Sequence, residues 1–416
     1  MIKDSYSLVV IGGGPAGLAA ALAAHDRGCR DILLVERSEY LGGILNQCIH
    51  SGFGLEYFDM ELTGPEYAER FISMLDGTGI TVLTDTTALD IAGKTVHIIN
   101  RTDGYRQIAF DALILAMGCR ERTRGAVSIP GDRPASILTA GTAQKLCNID
   151  GYLCGKNIII LGSGDIGLIM ARRFMLEGAN VLGCIERLPY PGGLRRNVIQ
   201  CLEDFDIPLH LSHTITKING RKHVESIEMC RVDEQFNPIK KTAKLIECDT
   251  VLLSVGLIPE NELSKNAGVE LQSRTGGPTV YDNMHTTAEG IFACGNVLHV
   301  HDLADYVTLE AQNAGRSAWE YIQSNTQISG GYHNVTCRDP VSYCVPARIR
   351  KNSSAPVILS FRVKKPMGSA DISITSGGAE IYRASKPALL PGEMQRIELP
   401  ANTLRGDVEI KVGEQI

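Results

Sequence analysis

Six glycines carry the strongest chemical signal in the sequence. Gly12, Gly14 and Gly17 form a G-x-G-x-x-G run directly after an apolar stretch, and Gly162, Gly164 and Gly167 repeat it 150 residues later. In such a run the first glycine makes a tight turn, the second lets the backbone approach a pyrophosphate, and the third lets the following helix pack on its strand. The pyrophosphate then rests on the helix N-terminus. An acid follows each run at the same interval, Glu36 and Glu186, both 24 residues after the first glycine. A carboxylate there accepts hydrogen bonds from ribose hydroxyls. Both copies continue Glu-Arg-x-x-Tyr-x-Gly-Gly, as Glu36 to Gly43 and Glu186 to Gly193. A packing-only glycine turn is the plain alternative for either run, and so long an agreement in spacing argues for two dinucleotide-binding units from one duplication.

Two further groups have reactive side chains. Cys48 and His50 follow the first Gly-Gly pair, where a proton relay or the tuning of a bound redox ring is one reading and a packed thiol beside an incidental histidine is the other. His299, His301, Asp302 and Asp305 form a local His/Asp cluster. With no matching third segment in the sequence, positioning a cofactor edge or a partner is the expectation and a metal is not. The twelve cysteines include no Cys-x-x-Cys pair, so the usual zinc and thioredoxin spacings are absent. Two Cys-x6-Cys spacings, Cys147/Cys154 and Cys337/Cys344, match no known metal spacing, and most thiols are expected to be buried small hydrophobes.

The elements that must hold these residues follow from hydrophobic patterning. Residues 7–37 read as strand, turn, Ala/Leu-rich helix and strand, and residues 157–187 read the same way. Phe110 to Gly118 is an apolar strand ending in a small-residue turn, and Cys248 to Asn261 repeats that pattern. A helix is expected to begin near Thr308, its N-terminus favouring negative charge on a reduced ring. From Gly331 onward short alternating strands appear in Val357 to Val363, DISITS, AEIYRAS, MQRIELP and DVEIKV, separated by Pro/Gly turns. This C-terminal module carries 12 Lys/Arg against 8 Asp/Glu, a net of +4, which leaves -10 for the first 330 residues. Such a module reads either as a docking surface or as a solvated face.

Residues 1–325 resemble the pyridine nucleotide-disulfide oxidoreductase superfamily, on the two glycine runs and on Thr286 to Val297, which is similar to its second FAD motif. That motif normally ends Gly-Asp, and here the pair is Gly295-Asn296, whose amide would still hydrogen-bond a ribityl hydroxyl. The resemblance implies an α/β fold of two interleaved Rossmann-type domains, glutathione-reductase-like, with the small C-terminal all-β module added. It implies an FAD-binding domain over 1–120 and 258–326, an NAD(P)-binding domain over 121–257, and the module over 331–416. FAD would be held by Gly12, Gly14, Pro15, Ala16, Gly17, Glu36, Arg37, Gly43, Ala116, Gly118, Gly295, Asn296 and Thr308. NAD would be held by Gly162, Gly164, Asp165, Ile166, Gly167, Glu186, Arg187 and Gly256. Glu186 stands where it would repel a 2'-phosphate and favours NAD(H) over NADP(H), while Arg187, Arg195 and Arg196 blur that preference.

Disulfide reductases of the superfamily place Cys-x4-Cys after the first Gly-Gly or Cys-x-x-Cys in the NAD domain, and this sequence has neither. Gly118 to Gln144 resembles the larger subunits of sarcosine oxidase, opine oxidase and hydrogen cyanide synthase. Gly42 to Gly54 and Cys294 to Ala311 resemble a bacterial flavoprotein paired with glycerol-3-phosphate dehydrogenase-like proteins. The resemblance implies an oxidoreductase passing hydride between NAD(H) and FAD beside a second flavoprotein dehydrogenase subunit, in a homo- or hetero-oligomer. An amine, opine or amino-acid oxidase subunit with a vestigial second site, and a nucleotide-binding scaffold subunit, remain alternatives.

Composition bounds these readings. The 416 residues suggest two or three domains, and 44% hydrophobic with 21% charged residues is ordinary for a globular chain. The 43 glycines exceed the usual ~7% and gather in short turns. A net charge of -6 without a basic block argues against nucleic acid. No apolar run approaches the ~18 residues of a membrane helix, and the first strand leaves no room for a leader, so a cytoplasmic protein is expected.

Overall fold

The computed structural model describes residues 2–324 and 331–414, so the expected boundary at 326 and the last two residues of the module lie outside the described residues. The chain divides into two compact units, Met1–Cys119 with Pro259–Ile416, and Arg120–Ile258.

The first unit is built on a seven-stranded sheet. Ser5–Ile11 is flanked in parallel by Ile32–Val35 and by the C-terminal half of Gly104–Leu115, which in turn takes Ile291–Ala293 in parallel. These central strands are covered on both faces, which is why they read as unbroken apolar runs. Thr86–Ala92 and Thr95–Asn100 extend the sheet as an antiparallel meander. The helix Pro15–Asp26 starts on a proline, which fits the first turn, and nine of its twelve residues are buried. It lies against the long helix Ala304–Ser324. A Cβ on Gly315 would stand 2.1 Å from the Ala20 carbonyl oxygen, so the close crossing of the two helices requires glycine.

One expected start is corrected here. The long helix begins at Ala304, not near Thr308, with Asp305 as an acid in its first turn. Thr308 lies a turn inside, fully buried, its hydroxyl 2.7 Å from the Tyr67 hydroxyl.

The second unit has a five-stranded parallel sheet in the order Ile137–Thr139, Thr250–Leu253, Asn157–Leu161, Asn180–Glu186, Leu209–Leu211. An antiparallel meander, His213–Asn219, Ser226–Arg231 and Lys244–Glu247, completes it. Its helix Asp165–Leu176 follows the second glycine run and buries Leu168, Met170, Ala171 and Phe174.

The C-terminal module is all-β. Five strands, Arg348–Arg350, Tyr332–Cys337, Val408–Glu414, Ala370–Ser376 and Ala379–Lys386, form one sheet, and Val341–Val345, Val357–Val363 and Gln395–Leu399 form another. Both sheets contribute to one core around Leu359, Phe361, Ile372, Ile374, Val408 and Ile410. The module belongs to the first unit rather than standing apart. Val345 lies in the core of that unit, and the Ala347 N–H donates to the Val280 carbonyl at 3.2 Å.

Candidate functional site: two glycine turns and a buried His/Glu cluster

In the first unit the turn between strand and helix is set by backbone contacts. Gly12 has φ +108, and a Cβ there would stand 2.4 Å from the Ala116 carbonyl oxygen. A Cβ on Gly17 would stand 1.7 Å from the Gly12 carbonyl oxygen. Gly14 is different: extended, at the helix N-cap, with its nearest neighbour the Cα of Gly43 at 3.9 Å. Two glycines are thus fixed by packing, and the third keeps the backbone open at the helix N-terminus, where a phosphate is favoured. Pro15 and Ala16 open that helix. Gly43 packs on Gly14, since a Cβ on it would come within 3.0 Å of the Gly14 Cα.

Glu36 directly follows the second strand, is 6% exposed, and is held by backbone donors. Gly13 N–H donates to Oε2 and Ser38 N–H to Oε1, both at 2.7 Å. Each carboxylate oxygen keeps a further lone pair for a ribose hydroxyl. Arg37 beside it is exposed. Gly118 has φ +70, and its carbonyl accepts from the Glu260 N–H.

The second unit repeats this arrangement at the offset of 150. Gly162 has φ +95 and would meet the Ser254 carbonyl oxygen at 2.1 Å, and Gly167 would meet the Ser254 Cβ at 2.6 Å. Glu186, 9% exposed, accepts from Ser163 N–H at 2.9 Å and its hydroxyl at 2.7 Å through Oε2, and from Leu188 N–H at 2.9 Å through Oε1. Asp165 and Ile166 open the helix, and the Asp165 carboxylate is bound sideways by Leu194 N–H at 2.8 Å and the Asn197 amide at 2.6 Å. Arg187 is exposed and stacks on Phe236 at 4.8 Å, while Arg195 and Arg196 stand exposed at the start of the helix Arg195–Cys201. Gly256, φ +98, accepts from the Arg122 N–H at 3.0 Å.

Cys48 caps the short 3-10 helix Gly43–Gln47, half-buried, with Sγ 3.3 Å from the Ile44 carbonyl oxygen. The His50 ring contacts the Ser51 carbonyl at 3.0 Å and stacks obliquely on Phe53 at 5.1 Å. All twelve cysteines are free thiols. Eight of them, Cys29, Cys154, Cys184, Cys201, Cys248, Cys294, Cys337 and Cys344, have thiols pushed up chiefly by burial, which keeps them protonated and unreactive.

The loop after Ile291–Ala293 brings together a cluster that sequence spacing only half revealed. Gly295, φ +75, packs on Ala16, and its N–H donates to Glu310 Oε1 at 2.7 Å. The other oxygen, Oε2, lies 2.9 Å from His299 Nε2 and 3.3 Å from His301 Nε2. Burial by itself would raise the Glu310 carboxyl, but His301 and His299 outweigh it and hold the group below the usual carboxylate range. Burial pushes the His299 imidazole down, and His301 adds to that. Asn296 Oδ1 accepts from the His301 N–H at 3.0 Å and faces His301 Nδ1 at 3.2 Å. The other two members of the sequence cluster turn elsewhere. Asp302 pairs with Arg362 and accepts from the Met394 N–H at 2.6 Å, and Asp305 accepts from the Glu56 N–H at 3.5 Å. Glu310 is the residue that sequence reading missed, and its place six residues into the helix, on the face turned to the loop, is visible only once the helix start is known.

The glycine cradle, its N-terminal helix and the acid at the end of the second strand fit a dinucleotide in each unit. The sequence profile of the pyridine nucleotide-disulphide oxidoreductases matches residues 6–318. One of the subunits of opine oxidase from Agrobacterium tumefaciens (strain Ach5) is 26% identical over 317 residues, 71% of this chain and 62% of that protein. One of the subunits of alkyl hydroperoxide reductase from Staphylococcus aureus (strain MRSA252) is 28% identical over 338 residues, 78% of this chain and 60% of that protein. The chain therefore spans about three-fifths of the length of these relatives. Thioredoxin reductase of T. acidophilum is similar in fold, with a TM-score of 0.63 at 22% identity over 78% of this chain and 100% of that one. The profile covers well over half of the chain, and the protein belongs to the pyridine nucleotide-disulphide oxidoreductase family, FAD- and NAD(P)H-dependent oxidoreductases.

Proposed function

We propose that this chain passes hydride between NAD(H) and FAD as the electron-transfer subunit of a multi-subunit dehydrogenase, with a glycerol-3-phosphate dehydrogenase-like flavoprotein as its partner. The observation that carries the reading is the repeated cradle. Glu36 and Glu186 are placed alike, each bound through Oε2 by the residue after the first glycine and through Oε1 by the residue two places on. When bound, FAD supplies the hydride-accepting ring and the nicotinamide the hydride. The residues of this chain bind and orient. Gly14 and Gly164 admit the phosphates, Glu36 takes the adenosine ribose, and Glu186, beside the second ribose site, disfavours a 2'-phosphate. Asn296 offers an amide where a carboxylate is usual, and its oxygen is held by His301, which leaves the NH2 group as the donor.

The missing Cys-x4-Cys and Cys-x-x-Cys pairs, together with eight thiols kept protonated by burial, support a route from flavin to a partner protein rather than to a disulfide. Both relatives are named as subunits of larger enzymes, which supports a partner. The likeness to part of an opine oxidase favours one second reading, direct oxidation of an amine or opine, with the second nucleotide site vestigial.

Anaerobic titration of the yellow, full-length chain separates these. NADH is expected to bleach the flavin band at least ~10-fold more effectively than NADPH, and Glu186→Gln to narrow that ratio. A flavin that stays oxidised under excess of both nucleotides, yet bleaches with an opine or secondary amine alone, overturns the first reading in favour of the second.

A further inference from the structure

Two imidazoles and one carboxylate converge behind the Gly295-Asn296 turn. His299 Nε2, His301 Nε2 and a Glu310 carboxylate oxygen lie within 4.8 Å of one another. Their side chains are 1%, 5% and 10% exposed. The two rings lie against each other with centroids 4.2 Å apart, and Tyr343 closes the cluster at 6.1 Å from the His299 ring.

The hydrogen bonds around the cluster decide where protons can be. The His301 backbone N–H donates to Asn296 Oδ1, which fixes that atom as the oxygen and as an acceptor. His301 Nδ1 faces the same oxygen and so carries the ring hydrogen. In a neutral His301 the bare Nε2 lone pair then points at a Glu310 oxygen 3.3 Å away. Two lone pairs held face to face in a buried site repel, so a cation must lie between them, a proton or a metal ion. The nearby cation, Arg362, does not serve, since its guanidinium is committed to Asp302 and to the Tyr343 hydroxyl. His299 Nδ1 has no partner among the described residues and Nε2 lies 2.9 Å from Glu310 Oε2, so without an ion that ring donates Nε2–H to the carboxylate, and a metal on Nε2 moves the hydrogen to Nδ1.

Metal sites have a recognisable second layer. Ligating histidines donate their other N–H to an oxygen, and ligating carboxylates are themselves hydrogen-bonded. His301 does the first through Asn296 and Glu310 does the second through the Gly295 N–H at 2.7 Å. Donors about 2.0–2.2 Å from a tetrahedral ion stand about 3.3 Å apart. The His301-to-Glu310 distance of 3.3 Å already matches, and the His299-to-Glu310 distance of 2.9 Å falls somewhat short of it and would open on binding. We propose that His299, His301 and Glu310 bind one divalent transition-metal ion, zinc by preference, tying the loop that carries Asn296 to the long helix. Two nitrogens and one oxygen suit zinc better than magnesium or calcium, which take oxygen ligands. Three protein ligands leave a fourth position for water.

The test uses the full-length chain, stripped with a chelator and then given one equivalent of Zn2+ or Co2+. After desalting, one ion per chain is expected by mass spectrometry, with a rise in melting temperature on zinc addition. His301→Ala and Glu310→Gln are expected to lower zinc affinity at least ~10-fold and to lose that rise. Twelve thiols offer a competing home for zinc, so X-ray absorption at the zinc edge of the wild-type chain is the second measurement, and it needs no variant to fold. A nitrogen/oxygen shell is expected. A sulfur shell, retention of zinc by both variants, or no retention by the wild type overturns the proposal and leaves the groups sharing a proton. Nicotinamide-dependent bleaching is read separately, so its failure and the failure of metal binding are distinguishable.

Discussion

Glycines that look equivalent in the sequence do unequal work in the structure. Gly17 is required because a Cβ would stand 1.7 Å from the Gly12 carbonyl oxygen, a backbone atom that cannot yield. Gly14 has extended backbone and no atom nearer than 3.9 Å to its built Cβ, so the fold itself tolerates a methyl there. Gly17→Ala is therefore expected to destabilise the chain by about 3 kcal/mol or more, through overpacking. Gly14→Ala is expected to leave unfolding of the flavin-free protein within about 0.5 kcal/mol of wild type while lowering the flavin retained per chain. Thermal unfolding and the flavin-to-protein absorbance ratio read the two effects. An equal loss of stability in both variants would sink the assignment of Gly14 to the phosphates. Both glycine runs and both acids were legible because a duplicated spacing is a property of the chain alone. Asp165 was not. Its carboxylate caps the chain at Leu194 and Asn197, a contact across 29 and 32 residues that no local pattern announces.

At the scale of elements, legibility followed apolar alternation. Val357–Val363 appears with the bounds read from sequence, and the other four marked β segments are strands to within a few residues. Tyr332–Cys337, Val341–Val345 and Arg348–Arg350 went unmarked because polar, aromatic and charged residues break their alternation, and their pairing is long-range, Val335 opposite Val408 and Val341 opposite Val363. The turn into Ile291–Ala293 shows a further device that sequence did not signal. His285 is 3% exposed, its Nδ1–H donates to the Thr286 carbonyl at 2.7 Å, and its Nε2 accepts from the Gly290 N–H at 3.0 Å. Its ring packs edge-on to Phe292 at 4.7 Å and beside Tyr321 at 5.6 Å, joining strand to helix. Burial lowers this imidazole from 6.5 to about 4. The unfolded chain then binds a proton that the folded chain refuses, so stability is whole above pH 6.5 and falls as pH drops through the window from 6.5 to about 4. The loss amounts to about 3 kcal/mol across the window. Denaturant midpoints measured against pH check this, and His285→Gln is expected to flatten the slope there. An unchanged slope in that variant would assign the acid sensitivity elsewhere.

For the molecule as a whole, part of the basic charge of the C-terminal module, which the sequence leaves open as a docking surface or a solvated face, is turned inward. Three of its arginines are engaged by acids of the same compact unit that lie outside the module: Arg348 by Glu270, Arg350 by Asp282 and Arg362 by Asp302. Composition reports a surplus of charge but not its destination, so this attachment was beyond sequence reading. The Asp282 pair is the anchor with the fullest geometry. The carboxylate is 4% exposed and takes the Arg350 backbone N–H at 2.7 Å, Nε at 3.1 and 3.2 Å, and Nη2 at 2.9 Å. Removing the guanidinium strands a buried charge, at a cost of about 3 kcal/mol that the partly exposed arginine side reduces toward 2. Removing both charges relieves that strain, so Arg350→Met and Asp282→Asn are expected to be non-additive, with a coupling of about 1–2 kcal/mol. Unfolding of the two single variants and the double variant in urea measures it. Additivity within about 0.3 kcal/mol would mean that the module rests on its neighbour without depending on it. A measured coupling predicts in turn that deleting residues 331–416 cannot be silent, because it uncovers His299 from Tyr343 and strips Asp282 and Asp302 of their partners. The truncated chain is then expected to melt lower and to hold flavin less tightly, where a detachable docking module would leave both unchanged.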